Sequence, residues 1–223
     1  MAIVTVDFDG TLYQGNSFKI MFQAGKKNFG LKEWGTVLLG VGKSVITGIA
    51  HGKNEFRLSF FRSFAKTFKG KTSKQLEEFF QELVNIGRND INTELVLKIR
   101  EHQKRGDTVI VLSGALHPFL EAFTKQVDLN VHIISTELSL DKNGVCTGGV
   151  GKIINGEAKV EKVQKWIEEH MEVSPFDELE IWAYADSESD IPLLHFVNYP
   201  IVVNPNEDMK RIAIKNNWPI FAS

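Results

Sequence analysis

Four runs of apolar, largely β-branched residues punctuate the chain, and three of them stop at a polar residue able to do chemistry. Residues 2–8 (AIVTVDF) turn acidic at Asp7 and meet Gly10. Thr108–Leu112 (TVIVL) meets Ser113-Gly114, Leu179–Ala185 (LEIWAYA) meets Asp186, and Pro200–Val203 (PIVV) is the fourth. Such runs, bounded by turn residues, predict buried strands. Between them the apolar spacing predicts helices at about 91–105, 116–127, 157–170, 190–196 and 206–217. Buried strands alternating with helices predict an α/β fold, a parallel sheet with helices on both faces. Ligands of such sheets sit at the carboxyl ends of the strands. Asp7, Ser113 and Asp186 are therefore expected to share one cleft.

Residues 14–87 carry a different pattern. Phe56, Phe60, Phe64 and Phe68 recur every fourth position, and Leu76, Phe79, Phe80 and Leu83 follow a Thr72/Ser73 cap. The spacing predicts an insertion of about four helices between the first strand and the rest of the sheet, with the phenylalanines as its core rather than a ligand box. Residues 138–150 predict a small hairpin turning at Lys142-Asn143-Gly144. Gly42-Lys43-Ser44 imitates the end of a phosphate-binding loop, but Val37 stands where the first glycine belongs and no strand precedes it. The apolar stretch Thr36–Ala50 is too short to span a bilayer.

Composition narrows the class. The 223 residues include 43% hydrophobic and 24% charged, enough apolar material for one large domain or a domain with an insertion. A single cysteine, Cys146, excludes an intramolecular disulfide and a cysteine-cluster metal site. The start MAIVTVDFDG lacks a basic segment before an apolar stretch, so no secretory signal and a cytoplasmic location are expected. A net charge of -2 argues against a dedicated nucleic-acid partner. That average hides an asymmetry: residues 14–87 hold 12 Lys and Arg against 5 Glu, or +7, and the remainder is −9. The lysines either solvate the bundle or draw an anionic substrate, partner or membrane surface towards it.

The densest chemistry lies in Asp7-Phe8-Asp9-Gly10-Thr11-Leu12. Two acids two residues apart point to opposite faces of a continuing strand. If the strand ends at the first, Gly10 permits a bend that brings both into one cleft; the other reading is a turn or helix cap. This hexapeptide, the strand-end Ser113-Gly114, Lys159 and the acidic Asp186-Ser187-Glu188-Ser189-Asp190 occur in the order found in haloacid dehalogenase-like (HAD) hydrolases. The sequence resembles that superfamily over nearly its whole length, and its subfamily IB, the phosphoserine phosphatase-like branch, in the position of the helical insertion. The segments DSESDIPLL and VVNPNEDMKRIAIKNNWPI add to the likeness, and Ala185 stands where many relatives have Gly.

The resemblance implies a HAD-like Rossmannoid three-layer fold, with a core of residues 1–13 and 88–223 and a C1-type helical cap of residues 14–87. It implies a phosphatase acting on a small phosphomonoester in two steps. Asp7 attacks phosphorus to form an aspartyl-phosphate; Asp9 protonates the departing alcohol and then activates the hydrolysing water. Ser113 and Gly114 would hold phosphoryl oxygens, Thr11 would steady the loop, and Lys159, with Lys162 and Lys165 as rivals, would supply a positive charge. Four carboxylates facing a phosphate dianion demand a cation, since two unit charges about 4 Å apart cost about 4 kcal/mol at an effective dielectric near 20. Mg2+ suits an oxygen-only set; by resemblance Asp7, the Asp9 carbonyl and Asp186 would bind it, with Asp190 behind them. Dehalogenases of the superfamily lack the second acid, so Asp9 favours the phosphatase over the dehalogenase. Phosphoserine phosphatases carry a glutamate nine residues beyond the nucleophile, where this chain has Asn16, an amide that cannot pair with an ammonium group as a carboxylate does. Arg62 sits near the place of an arginine that reads the substrate carboxylate. Phosphoserine and a phosphotransferase reaction remain the alternatives.

Overall fold

The computed structural model describes residues 1–51, 53–171 and 179–223; for residues 41, 43–51, 53–58 and 60 the side chains are outside the description. Six strands form one parallel sheet: β1 (Ile3–Val6), β2 (Thr108–Leu116), β3 (His132–Thr136), β6 (Ile181–Ala185), β7 (Tyr199–Val203) and β8 (Ile220–Phe221). Their order is β3-β2-β1-β6-β7-β8. The chain leaves β1 towards β2 and β3, then crosses back to β6 on the other flank. That reversal opens a crevice at the carboxyl end of β1, where such sheets bind ligands.

Alternation along the strands builds the layers. Val4, Val6, Val109 and Val111 face one apolar cluster, with α5 (Thr93–Lys104) and α6 (His117–Gln126) packed on it. Ile3, Ile110, Leu112, Ile181 and Ala183 face the other, covered by α7 (Glu157–His170), α8 (Ile191–Phe196) and α9 (Glu207–Lys215). Burial on both faces explains why these strands read as continuous apolar runs. The expected helices correspond to α5–α9 within a few residues at their ends. β3 and β8 are absent from the sequence reading: one is a half-exposed outer strand, the other two residues long.

The insertion is helical: α1 (Ser17–Asn28), α2 (Leu31–His51), α3 (Lys53–Lys66) and α4 (Ser73–Ile86). Gly42-Lys43-Ser44 lies inside α2, as does the Thr36–Ala50 stretch, and no helix among the described residues is long and apolar enough to cross a membrane. Thr72 caps α4 through a reciprocal pair with Gln75. Of the phenylalanine stripe, Phe64 and Phe68 are fully buried and meet Phe79 and Phe80, Phe68–Phe79 at 5.0 Å between centroids; Phe56 and Phe60 lie outside the described side chains. The same apolar cluster runs on into one face of the sheet. The hairpin of β4 (Leu138–Leu140) and β5 (Cys146–Val150) turns where expected, with Gly144 at φ 74° and Asp141 accepting from the Asn143 and Val145 amides. Two backbone bonds, Gly70 N–H to Cys146 O and Cys146 N–H to Lys71 O, tie the hairpin to the turn after α3.

Candidate active site

The turn after β1 sets two carboxylates on one side of the chain. Phe8, between them, is buried edge-on against Phe119 and Phe123, with centroids 5.3 and 4.9 Å away. That anchor directs Asp7 and Asp9 to the opposite side, into the crevice. Gly10, at φ 83°, closes the turn, and a Cβ there would stand 2.2 Å from Asp186 Oδ2. Both the backbone conformation and the close approach require glycine. Asn92, fully buried, braces the loop from outside by donating to the Thr11 carbonyl at 3.0 Å while capping α5.

β2 supplies the next group. Between Leu112 and Leu116 it carries two more residues than β3 does between Ile134 and Thr136, so Ser113-Gly114-Ala115 bulges at the crevice. Ser113 Oγ accepts from the Ala115 amide at 3.1 Å, which leaves its own proton to donate, and Thr136 donates to the Gly114 carbonyl at 2.8 Å.

The charged centre is compact. Lys159, in the first turn of α7, is buried and donates to Asp7 Oδ1 at 2.5 Å and to Asp190 Oδ1. Its rivals lie elsewhere: Lys165 is exposed and Lys162 half-buried, and neither lines this crevice. Asp190 is fixed from the other side by the Ser187 hydroxyl at 2.9 Å, and Thr11 donates to Asp186 Oδ1 at 3.3 Å. Asp7, Asp186 and Asp190 each place one oxygen within 4.8 Å of the others. Two carboxylates thus share one ammonium, with a third beside them. Burial first, then Asp190 and Asp186, push the Asp7 carboxyl well above the carboxylate range against the pull of Lys159. Burial and then Asp190 push Asp186 up to about 6. Burial disfavours the Lys159 charge, but Asp190 and Asp7 outweigh it and hold the ammonium above the ordinary lysine value. Among the described residues the site carries more negative than positive charge, and its donors are hard oxygens, the chemistry that accommodates a divalent cation such as Mg2+.

Asp9 stands apart from that cluster. Ser17, at the start of α1, donates its N–H to Asp9 Oδ1 at 2.7 Å and its hydroxyl to Asp9 Oδ2 at 2.5 Å. Around these groups lies a cavity of about 180 Å³. Asp7, Asp9, Gly10, Asn16, Ser113, Gly114, Lys159, Asp186 and Asp190 all line it. Thr11 sits beneath, buried. Arg62 is exposed on α3 and is not among the lining residues, although its neighbour Phe61 is. The sequence names neither Phe18, Phe61, Ile153, Asn155, Ser17 nor Asn92 as site residues, and it carries Ser187 within the acidic motif without a role of its own. Asn92 alone had a local signal, an Asn ahead of a periodic run.

The profile of the haloacid dehalogenase-like hydrolases matches residues 4–195. The chain belongs to that family. A histidinol-phosphatase of Neisseria meningitidis is 28% identical over 124 residues, 55% of this chain and 55% of that protein. A solved Bordetella pertussis protein of unknown function superposes with a TM-score of 0.80 at 21% identity, over 99% of this chain and 97% of that one. A probable phosphoserine phosphatase from Vibrio cholerae gives 0.63 at 16% identity, over 94% and 58%. The chain spans about half the length of the curated relatives it matches. As a HAD-like hydrolase, the protein shares the fold of the phosphoserine phosphatases.

Proposed function

We propose that the protein is a Mg2+-dependent phosphatase of small phosphomonoesters, working through an aspartyl-phosphate on Asp7. The observation that carries this reading is the pairing of Asp7 with buried Lys159 at 2.5 Å, with a second acid two residues on. Phosphatase names among the relatives support it. In the first step an Asp7 carboxylate oxygen bonds to phosphorus, the bond from phosphorus to the alcohol oxygen breaks, and Asp9 gives that oxygen its proton. In the second, water attacks phosphorus, Asp9 takes the water's proton, and the Asp7–phosphorus bond breaks. Lys159 orients Asp7, while the Ser113 hydroxyl and Gly114 amide hold phosphoryl oxygens. When bound, Mg2+ would be held by Asp7, the Asp9 carbonyl and Asp186, with Asp190 behind them, and would neutralise charge on the phosphoryl group.

Residues 14–87 act in this reading as a cap that closes the crevice with Phe18 and Phe61. No cap lysine or arginine is among the described residues lining the cavity. The net positive charge of residues 14–87 draws an anionic substrate towards the crevice. Asn16 lines the cavity where phosphoserine phosphatases carry a glutamate, which disfavours phosphoserine as the substrate. A phosphate-release screen over many phosphomonoesters, with acceptor products measured alongside, tests the function. Phosphate release in Mg2+ that stops with EDTA and returns on adding Mg2+ is expected; release unaffected by EDTA would remove the metal, and no release from any ester would remove the activity.

A further inference from the structure

We propose that Ser17 is the positioning residue of the acid–base group Asp9, a role that rests on the phosphatase reading above. The chemistry needs a proton delivered to one oxygen, that of the departing alcohol, and a rotating carboxyl group delivers it poorly. Asp9 follows Asp7 by two residues but does not join the carboxylate cluster around Lys159. Instead Ser17 bonds to both of its oxygens: Ser17 N–H to Oδ1 at 2.7 Å and Ser17 Oγ to Oδ2 at 2.5 Å. Two bonds to two oxygens fix the plane of the carboxyl group, where a single bond would leave it free to turn.

The holder is itself rigid. Ser17 is completely buried and opens α1, and its amide, in the first turn, has no partner within the helix. Asn16 fixes that turn by accepting from the Lys19 amide at 3.3 Å. A hydroxyl both donates and accepts, so Ser17 can hold Asp9 in either protonation state. Gly15, Asn16, Ser17 and Phe18 line the same cavity as Asp9, so the start of α1 places the acid and forms part of the wall around the substrate.

The test compares kcat/KM, which covers the steps through formation of the aspartyl-phosphate, on two esters. p-Nitrophenyl phosphate releases a stabilised phenolate that needs little help from an acid; β-glycerol phosphate releases an alkoxide that needs a proton. Ser17→Ala is expected to lower kcat/KM about 10–100-fold on β-glycerol phosphate and less than about threefold on p-nitrophenyl phosphate. In an Asp9→Asn background the same change should cost less than about threefold on either ester, because the positioned group is gone. Ser17→Cys, close in size with a weaker donor, should show the same split on a smaller scale and serves if the alanine variant does not fold. Equal losses on the two esters, no loss on either, or a full additional loss in the Asp9→Asn background would overturn the role. A wild-type protein that cleaves neither ester overturns the phosphatase reading itself, a result separable from those outcomes.

Discussion

Asp7→Asn is expected to abolish phosphate release, by more than about 10³-fold in kcat/KM, while the protein stays folded and in metal-free buffer becomes at least as heat-stable as the wild type. The catalytic loss follows because an amide cannot form the aspartyl-phosphate. The stability gain follows from the electrostatics. Burial, Asp190 and Asp186 raise the Asp7 carboxyl above its unfolded value. For an acid shifted upward, the folded state binds the proton more tightly than the unfolded chain. Stability is then full below the unfolded pKa, near 3.9, and is lost as pH rises through the folded value. At neutral pH the buried carboxylate is a cost that asparagine removes, and Lys159 keeps Asp190 as its partner. Thermal unfolding in EDTA at a series of pH values checks this: the variant's advantage should grow as pH rises from about 4 and vanish below it. A variant that loses activity only through unfolding would show the reverse.

Lys159→Met is expected to destabilise strongly. It leaves buried Asp7 and Asp190, with Asp186 nearby, without their ammonium. Removing one partner of a buried ion pair costs about 3–5 kcal/mol. For a chain of this size that corresponds to a melting temperature lower by about 6–20 °C. The same variant should lose phosphatase activity, because Asp7 is no longer oriented. Saturating Mg2+ should recover part of the lost stability, since a divalent cation supplies the charge that the methionine does not, and it should recover more here than in the wild type. Melting curves with and without Mg2+ measure both effects. An unchanged melting temperature would mean that Lys159 carries no burden in the folded charge balance.

Much of this site was legible in the order of residues because its groups sit where strands end. Asp7, Ser113 and Asp186 follow apolar runs, and a parallel sheet sends the ends of its strands to one edge. Lys159 was readable only from its place among the other motifs; nothing local separates it from Lys162 or Lys165, and its burial between Asp7 and Asp190 is what distinguishes it. Ser17 and Ser187 were not legible, because what marks each is the carboxylate it meets after folding. The two extra residues of β2 were likewise hidden. A bulge depends on which strand lies alongside, and β3 carries too few apolar residues to announce itself. Arg62 shows the opposite failure: a position matched by distance along the chain falls on the outward face of α3, while Phe61 lines the cavity.

The proposed covalent step on Asp7 would leave an acyl phosphate that can be trapped directly. Enzyme turning over p-nitrophenyl phosphate in Mg2+ is quenched into hydroxylamine, which converts an acyl phosphate into a hydroxamate, and the peptide containing Asp7 is read by mass spectrometry. A hydroxamate on Asp7 that requires both ester and enzyme is the expected result. Phosphate release at an undiminished rate from a protein whose Asp7 remains unmodified would contradict it.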